Sequence, residues 1–162
     1  MAMIDETRFD LARRAIERAA QKLQLGDLES AIALYQDAIR LHPTAEAHTL
    51  LAQAYGALGL YEDAIEEGMR AIALDPDYGN PYNDIGAYLM AMDCWEAALE
   101  WLEKALHASR SEHPAYPYMN LARVYLHFKQ EIRALRAFRN AWEAENYLPA
   151  LDAYEELAGK LN

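Results

Sequence analysis

The chain has 162 residues, enough for one domain with a sizeable core, and 26 acidic against 15 basic side chains leave a formal net charge of -11. That sign argues against nucleic acid, whose phosphates demand a basic surface, and against an anionic membrane surface. Cys94 is the single cysteine, so no internal disulfide forms; no stretch approaches the length of a membrane span, and the start lacks an apolar signal core, so a cytoplasmic protein is expected.

Residues 1 to about 6 read as a short, frayed start, and Thr7 to about Gln24 as the first helix. Phe9, Ala12, Ile16, Ala19, Ala20 and Leu23 fall there at helical spacing. Gly26-Asp27 makes a turn, because glycine tolerates the left-handed conformation. Leu28 to Leu41 form a partner helix with Ala31, Ile32, Tyr35, Ala38 and Ile39 inward, and Pro43 closes the unit. Thr44 is placed to cap the next helix. Ala45 to Tyr78 hold two amphipathic helices broken at Gly59, with Leu51, Ala52 and Tyr55 on one stripe and Ala64, Ile65, Ala71 and Ile72 on the other. Asp75-Pro76 stops the second, since proline lacks the N–H and restricts the residue before it.

Asn80 as cap and Pro81 at the first helical position open the third unit. Its turn is Asp93-Cys94, with Asp as the left-handed residue. Trp95, Ala98, Leu99, Leu102, Ala105 and Leu106 form the inward face of its second helix, and Ser109 to His113 make a long connector. The fourth unit runs from Pro114 to about Asn146, with Pro117 in its first turn. A last helix, Pro149 to about Leu161, carries Leu151, Tyr154, Leu157, Ala158 and Leu161 on one stripe and charges on the other.

Small residues recur along this order. Ala31, Ala64, Ala98 and Ala134 are spaced by about one unit of 33 to 36 residues, and Ala38, Ala71, Ala105 and Ala141 repeat the spacing. With Leu51-Ala52-x-x-Tyr55, Ile85-Gly86-x-x-Leu89 and Leu121-Ala122-x-x-Tyr125, the chain resembles the tetratricopeptide repeat family. The resemblance implies an all-α fold, a right-handed helical-hairpin solenoid. It would hold four repeats, about 7–44, 45–78, 79–112 and 113–146, and a capping helix over 147–162, in a single domain. Lys129 stands where the family's turn has glycine, so a remodelled turn is expected there. Gly68 stands where the family has a large aromatic, and Tyr35 or Tyr82 is expected to fill the space.

No phosphate loop, dinucleotide fingerprint, zinc-protease motif or nucleophile elbow occurs. The five histidines are scattered, so neither a metal site nor a cofactor is expected, and the chain reads as a non-catalytic protein. Cys94 reads as a small apolar filler, and Trp95, Trp101 and Trp142 as packing residues.

The resemblance also sorts the surface, because the family's first helices line a concave face. Applied here, that face collects Glu46, Thr49, Leu50 and Gln53, then Asn80, Asn83, Asp84, Ala87 and Met90, then Tyr116, Met119, Asn120, Arg123, Leu126 and His127. Glu62, Asp63, Glu66, Glu96, Glu100 and Glu103 fall on second helices and face outward. The reading is a scaffold or adaptor that holds a peptide segment of a protein partner in this groove. The alternatives are a secretion-type chaperone that holds apolar segments of a client, and a self-assembling structural module. The acidic C-terminus of heat-shock chaperones, a known ligand of the family, is rejected. The family's clamp residues correspond to Leu50, Asn80 and Asp84, and an aspartate repels carboxylates. Arg133, Arg136 and Arg139, three apart on one helix, are candidates for self-association against the acidic middle of a second copy, a homo-oligomer.

Overall fold

The computed structural model describes the backbone of residues 2–161 and the side chains of residues 7–161. The described residues form nine α-helices: α1 (Ala2–Gln24), α2 (Leu28–Leu41), α3 (Ala45–Ala57), α4 (Tyr61–Leu74), α5 (Asn80–Ala91), α6 (Trp95–His107), α7 (Ala115–His127), α8 (Glu131–Glu145) and α9 (Leu148–Leu161). They pair as four helical hairpins followed by a ninth helix. The chain divides into two compact units, Met1–Pro76 and Asp77–Asn162. In the first unit α1 packs on α2, α2 on α3 and α3 on α4. In the second, α5 packs on α6, α6 on α7, α7 on α8 and α8 on α9, while α5 also meets α7.

The alanine repeat is the packing surface of these hairpins. Ala31, Ala38, Ala64, Ala71, Ala98, Ala134 and Ala141 are fully buried, and Ala105 is 3% exposed. The cores between the small residues are local. In the first unit Tyr35, Leu51, Ala19, Ala31 and Ala54 pack together, with Ile16, Leu23 and Leu50 partly buried against them. In the second, Leu102, Leu121, Val124 and Phe138 form the centre of a larger cluster, to which α9 adds Tyr154 and Leu157. Burial of one such side chain stabilises the fold by about 1.5–3 kcal/mol.

Each hairpin turns by the same device. Gly26, Gly59, Asp93 and Lys129 all adopt positive φ, of 76°, 74°, 61° and 56°. In each turn the N–H after that residue donates to a carbonyl five residues back: Asp27 to Lys22, Leu60 to Tyr55, Cys94 to Leu89 and Gln130 to Tyr125. The residue itself donates three back, as Lys129 does to Leu126 at 3.0 Å. These paired bonds satisfy the end carbonyls of the first helix. The fourth turn is therefore not remodelled. Lys129 is forced into the left-handed region that glycine takes at the matching place, and the packing of α7 on α8 holds it there.

The N-termini are capped locally where the sequence allows. Thr44 Oγ1 accepts from the Ala47 N–H at 3.0 Å, and Asp27 Oδ1 accepts from the Ser30 N–H at 3.2 Å. The Lys22 ammonium beside Asp27, at 2.9 Å, and the Ser30 bonds hold its carboxyl below the usual range. Asn80 is not a cap, since α5 starts at that residue with Gly79 before it. Its amide donates to the Tyr78 hydroxyl at 3.0 Å, and its Oδ1 accepts from the Glu112 N–H at 3.2 Å. The connector before α7 explains the difference. It lies alongside residues 77–79, with Gly79 N–H donating to the Arg110 carbonyl and Arg110 N–H to the Asp77 carbonyl.

Other expectations shift as well. Helix α1 begins at Ala2 rather than Thr7, and the expected fraying of residues 1–6 lies outside the described side chains. Leu161 is 48% exposed, and Ala150 is the fully buried contact of α9. Cys94 is exposed rather than a filler. Trp95 and Trp142 are partly buried against core clusters, as packing residues are.

One helix contact is tighter than the alanines. A Cβ on Gly86 would lie 2.6 Å from both Cγ and Cδ2 of Leu102, which is fully buried. Gly86→Ala should therefore overpack the α5–α6 contact and cost about 1–3 kcal/mol, read as a lower urea midpoint at unchanged slope. Lys129→Gly should relieve the left-handed strain in the fourth turn. The expected gain is about 0.5–1 kcal/mol after the entropy of the added glycine, and a lower midpoint would show that the lysine side chain contributes more than its strain costs.

Candidate functional site

The anticipated groove residues divide between the two units. In the first unit they come from α3. Residues 46, 50 and 53 recur at helical spacing on one side of it. Glu46 and Gln53 are exposed, and Leu50 is half-buried against the local core. Glu46 also borders a cleft of about 320 Å³ whose other walls include Phe9, Ile16 and His42. Thr49 is not a lining residue. It is 2% exposed, and its hydroxyl donates to its own helix, at the Ala45 carbonyl, 2.8 Å away.

Beside these lies a buried polar contact that scattered histidines gave no hint of. His48 on α3 and Glu67 on α4 are each 7% exposed, with His48 Nδ1 2.6 Å from Glu67 Oε2. Arg70 closes the pair from the next turn, bonding to Glu67 and, at 2.5 Å, to Glu66. A histidine with a partner on a different helix is visible only once the helices are packed. The contact joins two helices: His48 Nδ1 meets one Glu67 carboxylate oxygen and Arg70 bonds to the other.

In the second unit the residues lie along α5 and α7, which pack side by side. A hydrogen-bonded series runs across them. Asn120 Nδ2 donates to Asn83 Oδ1 at 2.9 Å, Asn83 Nδ2 donates to Asp84 Oδ1 at 3.2 Å, and Arg123 Nη1 donates to Asn120 Oδ1 at 3.4 Å. Asn83 is 8% exposed, so its amide anchors the series, while Asn120 and Asp84 are half-buried and Arg123 is exposed. Burial pushes the Tyr88 phenol up from its ordinary range, and the Asp84 carboxylate adds to the effect. Tyr88 thus stays a neutral hydroxyl beside the series.

Apolar and aromatic groups flank it. Tyr116 is 40% and Leu126 39% exposed. Tyr116 stacks on His113 with ring centroids 4.6 Å apart and meets Tyr147 edge-on at 5.8 Å. His127 stacks on Trp95 at 4.1 Å. Ala87 and Met119 are half-buried. Met90 is not a lining residue: at 5% exposure it belongs to the core with Leu102 and Leu121. Asn80 is committed to Tyr78 and the connector.

The acids and arginines anticipated outside the groove lie on second helices. Glu62, Asp63, Glu66, Glu96, Glu100 and Glu103 are exposed, as expected. Arg133, Arg136 and Arg139 are exposed on α8, but Arg139 pairs with Glu143 at 3.8 Å while the other two border a separate cleft. Among the described residues no cluster of three or more potential metal ligands occurs. No buried side-chain nitrogen or oxygen lacks a partner among them, and no helix is long and apolar enough to cross a membrane.

Residues 21–79 match the family model described as tetratricopeptide repeat. Over 86 residues the chain is 28% identical to small glutamine-rich tetratricopeptide repeat-containing protein 2 of Mycosarcoma maydis, covering 52% of this chain and 24% of that protein. It is 36% identical over 81 residues to the protein of the same name from Saccharomyces cerevisiae, covering 49% of this chain and 23% of that one. The matched stretch thus spans about a quarter of the length of these relatives. Among solved structures, Pseudomonas aeruginosa pilF superposes with a TM-score of 0.85 at 24% identity, over 95% of this chain and 70% of that one. A thermophilic TPR protein of Thermus thermophilus superposes with a TM-score of 0.77 at 22% identity, over 93% and 83%. At such identities the likeness is one of fold.

The His48–Glu67 contact makes a testable claim about the first unit. Glu67→Ala should leave a buried imidazole without its acceptor and cost about 1–3 kcal/mol. A double-mutant cycle with His48→Ala should recover part of that loss, and strict additivity would mean the two residues do not couple.

Proposed function

We infer the function from one premise: the chain is a tetratricopeptide repeat protein. Repeats of this family typically mediate protein–protein interactions and are usually non-catalytic. The reading proposed for this chain is an adaptor that holds a peptide segment of a protein partner on the α5–α7 surface. What supports it is the hydrogen-bonded series Asn83–Asn120–Arg123, carried on two adjacent helices and flanked by exposed Tyr116 and Leu126.

An asparagine amide offers a donor and an acceptor together, which suits the alternating groups of a peptide backbone. Asn83 fixes the Asn120 amide, so less side-chain entropy is lost when a backbone binds. Arg123 supplies an exposed cation, and tyrosine and arginine are favoured anchor types at interfaces. Tyr116 and Leu126 offer apolar contact at either side. Asp84, half-buried beside Asn83, disfavours a carboxylate there, so the segment held would place neutral or apolar groups against α5.

A photo-crosslinking amino acid at Tyr116 or Leu126 should capture a partner peptide, identified by mass spectrometry, whereas the same probe at Glu100 on α6 should not. Arg123→Glu should weaken the captured interaction at least tenfold without loss of helical content. Equal capture from position 100, or indifference to Arg123→Glu, would remove the α5–α7 surface as the site.

A further inference from the structure

A second recessed surface lies in the unit spanning residues 77–162, on the other side of α7. It is a cleft of about 290 Å³ between α6, α7 and α8. Its floor is Leu121 and Ala137, 3% and 5% exposed. Tyr118 and Tyr125 wall it from α7, and Arg133 and Arg136 form its rim on α8. The α7 members recur at i, i+3 and i+7, which sets them on one helix face. At 100° per residue that face is roughly opposite the one bearing Met119, Asn120 and Arg123. The cleft is therefore independent of the α5–α7 surface.

Its charge runs against the chain as a whole. The protein carries a formal -11, yet no aspartate or glutamate lines this cleft. Arg133 is held in place: Nη1 donates to Gln130 Oε1 at 3.1 Å, and the guanidinium lies 5.7 Å from the centre of the Tyr125 ring. Arg136 reaches the same opening, three residues on, and Asn140 adds an amide donor.

We propose that this cleft binds the carboxylate of an acidic peptide segment, with an adjoining aliphatic or aromatic side chain resting on Leu121 and Ala137. A guanidinium fork matches the two oxygens of a carboxylate. The volume is at the small end of ligand pockets, which suits one side chain and excludes a docked helix. A carboxylate is favoured over a phosphate by donor number: Arg133 already spends donor capacity on Gln130, and what remains suits an anion with two oxygens to satisfy rather than three. The general field gives no attraction for anions, so any binding must come from these local groups.

The test is a proton–nitrogen NMR titration of the full chain with three probes: N-acetyl-Phe-Glu-amide, its neutral analogue N-acetyl-Phe-Gln-amide, and phenyl phosphate. The acidic peptide should shift the amides of Tyr125, Arg133, Arg136 and Ala137 and leave those of Asn83 and Asn120 in place. The neutral peptide should bind at least fivefold more weakly. Arg133→Gln with Arg136→Gln should weaken the acidic peptide at least tenfold at unchanged helical content, and Arg136→Gln alone should give an intermediate loss. Equal affinity for the two peptides, shifts mapping away from α7 and α8, or binding that survives the double substitution would overturn the proposal. Tighter binding of phenyl phosphate than of the acidic peptide would overturn the choice of ligand.

Discussion

In every hairpin the second helix buries alanines completely or nearly so, which puts small side chains on its packed face. Gly86 against Leu102 is the extreme case, where even one added carbon has no room. The buried alanines at 31, 64, 98 and 134 are the repeated form of the same contact. Interiors pack at crystal-like density, so a contact set by small residues fixes the separation and leaves little freedom for rearrangement. Large side chains are then confined to the spaces beside it: Tyr35 packs with Leu51 in the first unit, and Leu102 with Leu121 and Phe138 in the second.

That close approach also dictates the turns. Two helices in contact over their length must be joined by a short, sharply reversing link. The left-handed residue with its paired backbone bonds provides it in every hairpin, whatever side chain the position carries. Glycine meets the demand without strain, aspartate at modest cost, and lysine at more. That Lys129 keeps the conformation shows packing prevailing over local preference. A strain of about 1–2 kcal/mol is small beside the burial of Leu121, Val124 and Phe138.

The polar features follow from the same geometry. With small residues at the contacts, the remaining faces of each first helix are free to carry side chains that bond across to a neighbour. Asn83 with Asn120, and His48 with Glu67, are both such cross-helix pairs. Helix α7 then presents two chemically distinct faces. One holds amides, Arg123 and exposed Tyr116; the other holds Tyr118, Leu121 and Tyr125 against the arginines of α8.

The sequence by itself determined the helices, their order and the sites of the turns. Each is a short-range matter: apolar spacing for Leu28–Leu41, proline after Asp75, a threonine oxygen at Thr44, glycine at 26 and 59. The outward run of acids on α4 and α6 was legible for the same reason. The tertiary structure decided the burial of particular polar and mixed side chains, which depends on partners from other helices. Helical spacing places Thr49 and Met90 near groove residues, but one hydroxyl turns to its own backbone and one thioether fills the core. Asn80 has a good capping side chain, yet the connector at 108–113 supplies partners that only folding brings near. The cleft on α8 joins Tyr118 of α7 and Arg136 of α8, side chains that the packed hairpin brings to one opening. Its lack of carboxylates was already written in the sequence, since all its lining but Leu106 comes from residues 118–140, where Glu131 is the one acid; that the tyrosines and arginines share one opening was decided by the packing, because only packed helices fix which faces meet.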